Sequence, residues 1–291
     1  MKNLPKIKII KEDLIKKEPE VFLNFLNNSQ FPQNRNKIFQ AFPDLKSRLD
    51  TTDEKQEKEI IYQFISDFYK KNREKIDRII KESEDLTQEK GEVALEALSD
   101  LMDYEWPRDL IYNAVPTILP FSPFQKNSFN FSILGKIYGK NEKDVLCIAI
   151  HEISHFIFYD LLDKMEIKIQ NDARHYFKEA LTAVILNEEP LRGILELNDY
   201  AGNPEIRDIQ IQKKDGVILK LVDFIKEYYQ RIKIKEGKEF NIFLKKILNI
   251  IISVSGDLSE KRKIWNNYGN QIFKDENLLK QYSDPIKIKE G

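Results

Sequence analysis

The sequence has few of the residues that build disulfide-rich or turn-rich proteins. Its 291 residues include a single cysteine, Cys147, which excludes an intramolecular disulfide. Glycine and proline number only 10 and 11, which suits long helices better than a β-sandwich with many turns. Basic and acidic side chains nearly balance at 47 against 48, and this argues against a general affinity for nucleic acid or anionic membranes.

Long apolar segments are also scarce. The first 20 residues contain no uninterrupted apolar run of the kind found in a signal peptide. The apolar stretch at 247–254 is far shorter than the ~20 residues that span a bilayer. We therefore expect a cytoplasmic protein with no membrane span and no nucleic-acid partner. The hydrophobic content of 41% is sufficient for folded cores.

The periodicity of apolar residues predicts mostly helices. Between residues 110 and 139, β-forming residues instead predict two or three short strands joined by a turn at 123–127. A buried helix follows, for which Asn141 is a candidate N-cap, and the tail after Asp275 is expected to fray. The other predicted helices cover 18–26, 53–83, 92–104, 172–186, 217–232 and 240–252.

One segment combines the residues that a metal centre needs. His151, Glu152 and His155 form the motif HEISH inside an otherwise apolar helix. Histidines at i and i+4 lie one turn apart on the same face, so both imidazoles can reach one metal ion. Glu152 is offset by one residue, where a carboxylate can take a proton from a metal-bound water. With three histidines in the whole chain, a chance match is improbable, and the donor types favour Zn2+.

A three-ligand zinc site needs one more donor. His175 and Glu179 stand four residues apart in the predicted helix 172–186, on the same helix face. Glu179 follows His155 by 24 residues, enough for a second helix to pack antiparallel and bring its carboxylate to the metal. A three-histidine site that uses His175 is the alternative.

HEISH on a buried helix, preceded by a small sheet and followed by a helix with a glutamate, resembles the gluzincin group of zinc metallopeptidases. The resemblance covers about 110–208. It implies that His151 and His155 are zinc ligands, that Glu152 is the general base, and that Glu179 is the third ligand. The implied activity is hydrolysis of peptide bonds.

The same resemblance implies a hydrogen-bond donor for the oxyanion, a Tyr or His outside the zinc sphere. His175, Tyr176 and Tyr200 are the candidates. Tyr200 belongs to a polar loop after the predicted ligand helix, which either lines a cleft or merely connects two helices. The strand at 128–133 is either an edge for an extended peptide substrate or a central strand.

In one position the chain departs from the gluzincin pattern. Many gluzincins carry an aspartate four residues after the ligand glutamate, where it orients a ligand histidine. This chain has Ala183 there. Thr182 and Asp160 are the candidates to replace that contact.

These observations predict a mainly α (α+β) protein whose zincin-like catalytic core contains a small β-sheet and is flanked by helices. The predicted regions are an N-terminal helical region at 1–105, the core at 106–210 and a C-terminal helical region at 211–291. The predicted function is zinc-dependent hydrolysis of a peptide or protein substrate. Two alternatives are a regulatory metallopeptidase that cleaves one protein partner, such as a transcriptional repressor, and a non-catalytic zinc-binding scaffold.

Overall fold

A computed structural model describes residues 3–28, 32–50, 54–140 and 143–288. Helices account for 65% of it and strands for 9%, which confirms the predicted mainly α (α+β) class. The chain divides into two compact units, one comprising Met1–Glu92 and Pro107–Glu152 and the other Val93–Trp106 and Ile153–Gly291. The functional division predicted at residues 105 and 210 stays a prediction, because compactness does not test where a catalytic core begins.

In chain order, the helices are α1 (Leu14–Asn27), α2 (Pro32–Ala41), α3 (Pro43–Leu49), α4 (Glu54–Leu101), α5 (Leu134–Ile137), α6 (Val145–Lys164), α7 (Asn171–Leu186), α8 (Leu191–Ile194), α9 (Leu221–Tyr229), α10 (Phe240–Ser253), α11 (Ser255–Tyr268) and α12 (Glu276–Ser283). The strands are β1 (Lys6–Ile9), β2 (Ile111–Thr117), β3 (Phe124–Gln125), β4 (Ser128–Ser132), β5 (Gln210–Gln212), β6 (Ile218–Lys220) and β7 (Ile286–Lys287). Shorter helical turns occupy Pro204–Ile206, Gln230–Lys235 and Gly269–Lys274.

The first unit contains a four-stranded sheet with the order β1-β2-β4-β3. The pairs β1–β2 and β2–β4 are parallel, and β3 pairs antiparallel with β4. Phe129 and Phe131 are buried while their neighbours are only half-buried, as the alternation predicts. Because β4 lies between β2 and β3, the central-strand alternative for 128–133 is confirmed. The strand β1 is absent from the sequence-based prediction.

A buried carboxyl group connects α1 to this sheet. Oε1 of Glu18 accepts hydrogen bonds from the Thr117 hydroxyl at 2.6 Å and from the Ile118 backbone N–H at 2.9 Å. The residue is only 3% exposed. Burial raises the pKa of Glu18 to about 7, although the hydrogen bonds act in the opposite direction. The stability of the fold therefore depends on pH through this group.

We expect the Glu18→Gln variant to remove that dependence. The folded-state pKa of about 7 lies above the ordinary value of 4.5, so the folded protein holds the proton more tightly than the unfolded chain. The resulting stabilisation is complete below pH 4.5 and is lost as the pH rises through about 7. Glutamine keeps the acceptor oxygen but carries no charge. At pH 8 the variant should be more stable than the wild type by roughly 2–3 kcal/mol, and near pH 4.5 the two should be equal.

Urea unfolding at several pH values between 4.5 and 8 measures this difference. Glu12 is exposed just before the same helix, so Glu12→Gln is a control that should keep the wild-type slope. A wild-type stability that stays constant from pH 4.5 to 8 would contradict the prediction.

Helix α4 is longer than the sequence predicts. The prediction of two separate helices at 53–83 and 92–104 is wrong, since one 48-residue helix runs from Glu54 to Leu101. No proline interrupts the segment between the two predicted helices, and Gly91 is its weakest helix former. A glycine inside a helix costs only about 1 kcal/mol relative to alanine, too little to end a helix that packs on both sides of it.

The C-terminal part of the second unit is also more ordered than predicted. The helix predicted at 217–232 begins only at Leu221, because Ile218–Lys220 pair with β5 in a sheet of order β6-β5-β7. The predicted fraying after Asp275 is wrong for 276–288, the part of the tail that the structure describes. The Asp275 side chain accepts hydrogen bonds from the first backbone N–H groups of α12, and Tyr282 near the end of that helix is fully buried.

Helix α6, which carries the HEISH motif, is apolar around most of its circumference. Among the described residues it is the helix long and apolar enough to cross a bilayer. However, 72% of its apolar 18-residue stretch is buried within the structure. Core helices of soluble proteins meet the same criterion, so this is weak evidence for a membrane span. Cys147 on this helix is buried, as expected for a core thiol, and burial raises its pKa to about 12. Asn141 lies outside the described residues.

Candidate metal centre

Three of the predicted site residues come together on α6 and α7. His151 and His155 stand one turn apart on α6, and Glu179 belongs to α7. One potential ligand atom from each of the three lies within 4.8 Å of the others. His155 and Glu179 are buried, whereas His151 is partly exposed. Two imidazole nitrogens and one carboxylate oxygen are therefore close enough together to bind one ion, and His151 is the donor nearest the surface.

The distances suit ligands of one metal ion. Nε2 of His155 lies 3.8 Å from Oε1 of Glu179, which is longer than a hydrogen bond. Donors at tetrahedral angles and about 2.0–2.1 Å from zinc are ~3.3 Å apart. Small side-chain rotations would therefore place all three donors on one ion. The donor set, two imidazoles and one carboxylate, is one that zinc accepts in catalytic sites, so these residues fit that metal.

Glu152 lies beside this cluster and is not one of its members. The residue is 6% exposed, and its Oε1 is 3.9 Å from Nε2 of His151. The one-residue offset in the helix produces this position, as the motif predicts. A carboxylate next to a metal site can accept a proton from a water there. The role of Glu152 as a base stays a prediction.

Lys178 is a member of the site that the sequence analysis missed. The residue is 5% exposed, and its ammonium group hydrogen-bonds Nδ1 of His155 at 3.2 Å and Oε1 of Glu179. The sequence gives no signal for this role, since an amphipathic pattern assigns a lysine to the solvated face of a helix. A buried lysine is rare unless it is paired, so the contacts with His155 and Glu179 are what allow Lys178 to be buried here.

A separate polar contact joins α6 to α7. The hydroxyl groups of Ser154, inside the motif, and Thr182 are 2.7 Å apart, and both residues are buried. Asp160 accepts a hydrogen bond from Tyr104 at 2.8 Å. Thr182 and Asp160 were the candidates to orient a ligand histidine. The hydrogen bond at Nδ1 of His155 comes instead from Lys178.

His175 belongs to a second polar cluster in the same unit. Its Nε2 lies 3.0 Å from Oε2 of Glu205, and Arg262 binds Oε1 of the same carboxylate. Burial raises the pKa of Glu205, but the bond to His175 and the charge of Arg262 outweigh it, so the pKa is below its ordinary value. The structure thus places His175 with Glu205 and not in the three-residue cluster of His151, His155 and Glu179.

The two tyrosine candidates have different surroundings. Tyr176 is fully buried, and its hydroxyl lies 3.1 Å from that of Tyr282, which donates to the backbone carbonyl of Glu205 at 2.5 Å. Tyr176 is therefore part of the core. The backbone N–H and carbonyl of Tyr200 are bound by the Asn187 side chain, and Tyr200 lines a cavity of about 490 Å³. Its assignment as an oxyanion donor, like that of His175, stays a prediction.

Glu205 and Arg262, like Lys178, are residues that sequence reasoning missed. Glu205 stands in the polar loop that the sequence analysis considered as a cleft lining, but no spacing rule connects it to Arg262 on α11. Comparison of the chain with family models, with curated proteins and with solved structures finds no match in any of the three.

Proposed function

We propose that this protein is a zinc-dependent peptidase of the gluzincin type with a zincin-like core, and that it hydrolyses bonds in a peptide or protein substrate. The observation that carries the proposal is the convergence of His151, His155 and Glu179, with Glu152 next to them. His151 and His155 would hold zinc through imidazole nitrogens, and Glu179 would hold it through a carboxylate oxygen. Bound zinc would act as a Lewis acid that polarises a peptide carbonyl and lowers the pKa of a water molecule.

The remaining chemistry belongs to the protein's own side chains. Glu152 accepts a proton from the attacking water while the water oxygen bonds to the carbonyl carbon. Glu152 then passes this proton to the amine nitrogen as the carbon–nitrogen bond breaks. The buried position of this carboxylate keeps it close to the metal ligands and away from bulk water.

The negative charge that develops on the carbonyl oxygen needs a donor. We assign this role to His175 first and to Tyr200 second. His175 shares a face of α7 with Glu179, and Glu205 fixes its ring through the 3.0 Å contact. A fixed ring loses little entropy when it meets the substrate.

Cleavage of a broad peptide library tests the proposal. Protein reconstituted with zinc should generate new peptide termini that mass spectrometry detects. Removal of the metal by a chelator should stop the cleavage, and added zinc should restore it. A protein that binds zinc in equal molar amount but cleaves nothing in the library would contradict general peptide hydrolysis and favour a peptidase with a single protein partner or a non-catalytic zinc-binding scaffold.

The contacts of Lys178 favour a second candidate, a scaffold that is neither catalytic nor metal-binding and so differs from the zinc-binding scaffold considered from the sequence. The ammonium group already neutralises Glu179 and contacts Nδ1 of His155, so ionic contacts hold these three side chains together without requiring a metal. In that case zinc and chelator should both leave the thermal unfolding of the protein unchanged. A shift of Tm on addition of zinc supports the metal site instead.

A further inference from the structure

We propose that Lys178 is the resident cation of the metal-free site, that zinc must displace it, and that it thereby lowers the affinity of the site for zinc. The inference rests on the proposed zinc site. Its structural basis is that one buried ammonium group contacts two of the three ligand side chains, His155 and Glu179.

The tautomer of His155 is the first reason for this competition. An ammonium group can only donate hydrogen bonds, so Nδ1 of His155 must accept from Lys178. A neutral imidazole that accepts at Nδ1 carries its proton on Nε2, and a protonated Nε2 cannot bind a metal. Zinc on Nε2 requires the proton to be on Nδ1, where it would point at the ammonium group. The contact with Lys178 and zinc ligation through Nε2 therefore exclude each other.

The charge on Glu179 is the second reason. Lys178 binds Oε1, the same oxygen that lies 3.8 Å from Nε2 of His155. A buried carboxylate needs a compensating positive charge, and in the metal-free protein the ammonium group provides it. Zinc would provide it in the metal-bound protein. Two cations at one buried oxygen repel each other strongly, because the surroundings screen charge poorly.

The low exposure of all three groups makes the exchange costly. Lys178 and Glu179 are each 5% exposed, and His155 is 1% exposed. The ammonium group cannot simply be hydrated where it stands when zinc arrives, so it must move away from both partners. The free energy of its two contacts is subtracted from the binding energy of the metal.

The Lys178→Met variant separates this role from a purely structural one, because its two expected effects have opposite signs. Methionine has a similar length and no charge. Without metal, the variant should unfold at a lower temperature than the wild type, since Glu179 loses its counter-ion. Its affinity for zinc should rise about tenfold or more, the equivalent of one charge-assisted hydrogen bond that no longer has to be broken.

Competition against a chromophoric zinc chelator measures the affinity, and calorimetry with and without zinc measures Tm. Lys261→Met is the matched control. Lys261 is also a buried lysine, but it donates to the backbone carbonyls of Gln281 and Asp284. This control should lower Tm with and without zinc and leave the zinc affinity as in the wild type. If Lys178→Met does not fold without metal, Lys178→Gln provides the same comparison with a neutral side chain that can still hydrogen-bond.

Equal or weaker zinc binding by the Lys178 variants, alongside measurable binding by the wild type, would overturn this inference and leave the proposed function intact. Absence of zinc binding in the wild type and in all Lys178 variants would overturn both. If the Lys178 variants bind zinc and the wild type does not, Lys178 occupies the place of the metal in the wild type. That result would support the inference.

Discussion

Replacing Glu152 by glutamine should abolish peptide hydrolysis while leaving the bound zinc and the fold unchanged. Glutamine is nearly isosteric with glutamate and can still hydrogen-bond a water molecule in the buried position next to His151. It cannot accept a proton at neutral pH, so the water stays a weak nucleophile and the amine leaves without its proton. General acid–base catalysis contributes about 10²–10⁴-fold, and the turnover number should fall by at least roughly two orders of magnitude.

Turnover of a quenched peptide by wild type and variant at equal zinc content measures the effect. Asp163→Asn is the matched control, because it makes the same carboxylate-to-amide change at an exposed position of the same helix. That control should keep the wild-type rate. Equal rates for the wild type and Glu152→Gln would show that Glu152 is not the base.

Removing any one of the three converging ligands should empty the zinc site. Purified wild type is expected to hold about one zinc ion per chain, as a three-ligand catalytic site does. His151→Ala, His155→Ala and Glu179→Ala should each lose most of this zinc, because two remaining donors cannot hold the ion against the chelating capacity of the buffer. Elemental analysis gives the zinc content, and loss of the zinc-dependent rise in Tm gives an independent readout.

The third histidine supplies the control for this experiment. Nε2 of His175 is bonded to Glu205, so His175→Ala should keep its zinc. Loss of zinc in His175→Ala together with retention in Glu179→Ala would establish the three-histidine alternative. Unchanged zinc in His151→Ala, His155→Ala and Glu179→Ala would remove the metal assignment altogether.

The accuracy of the predicted elements follows the strength of the local signal. Helix α7 was predicted at 172–186 and spans Asn171–Leu186, because its apolar residues recur without a break and polar residues, Gln170 and Asn187, flank it. In α4 the expected break did not occur, since residues on both sides of Gly91 are buried and one glycine is not enough to end the helix. The strands of the second sheet are three residues long at most, too short for an alternating pattern to be recognised.

The candidate site divides in the same way. The HEISH spacing alone places His151 and His155 on one face and Glu152 beside it, because a helix repeats every 3.6 residues. The convergence of Glu179 with them needed one further assumption, that the second helix packs back onto the first. Lys178 carried no distinguishable signal, since an amphipathic pattern assigns a lysine to the solvated face.

The sequence by itself determined the helical class, the HEISH face and the helix that carries Glu179, because each depends on residues within a few positions of one another. Only the tertiary structure decided which side chains surround that face. Lys178 meets His155 across 23 positions of sequence, His175 meets Glu205 across 30, and Arg262 meets Glu205 across 57. Such pairs form because buried charges must find partners wherever the packing of helices brings them, and this packing depends on the whole core and not on any local pattern.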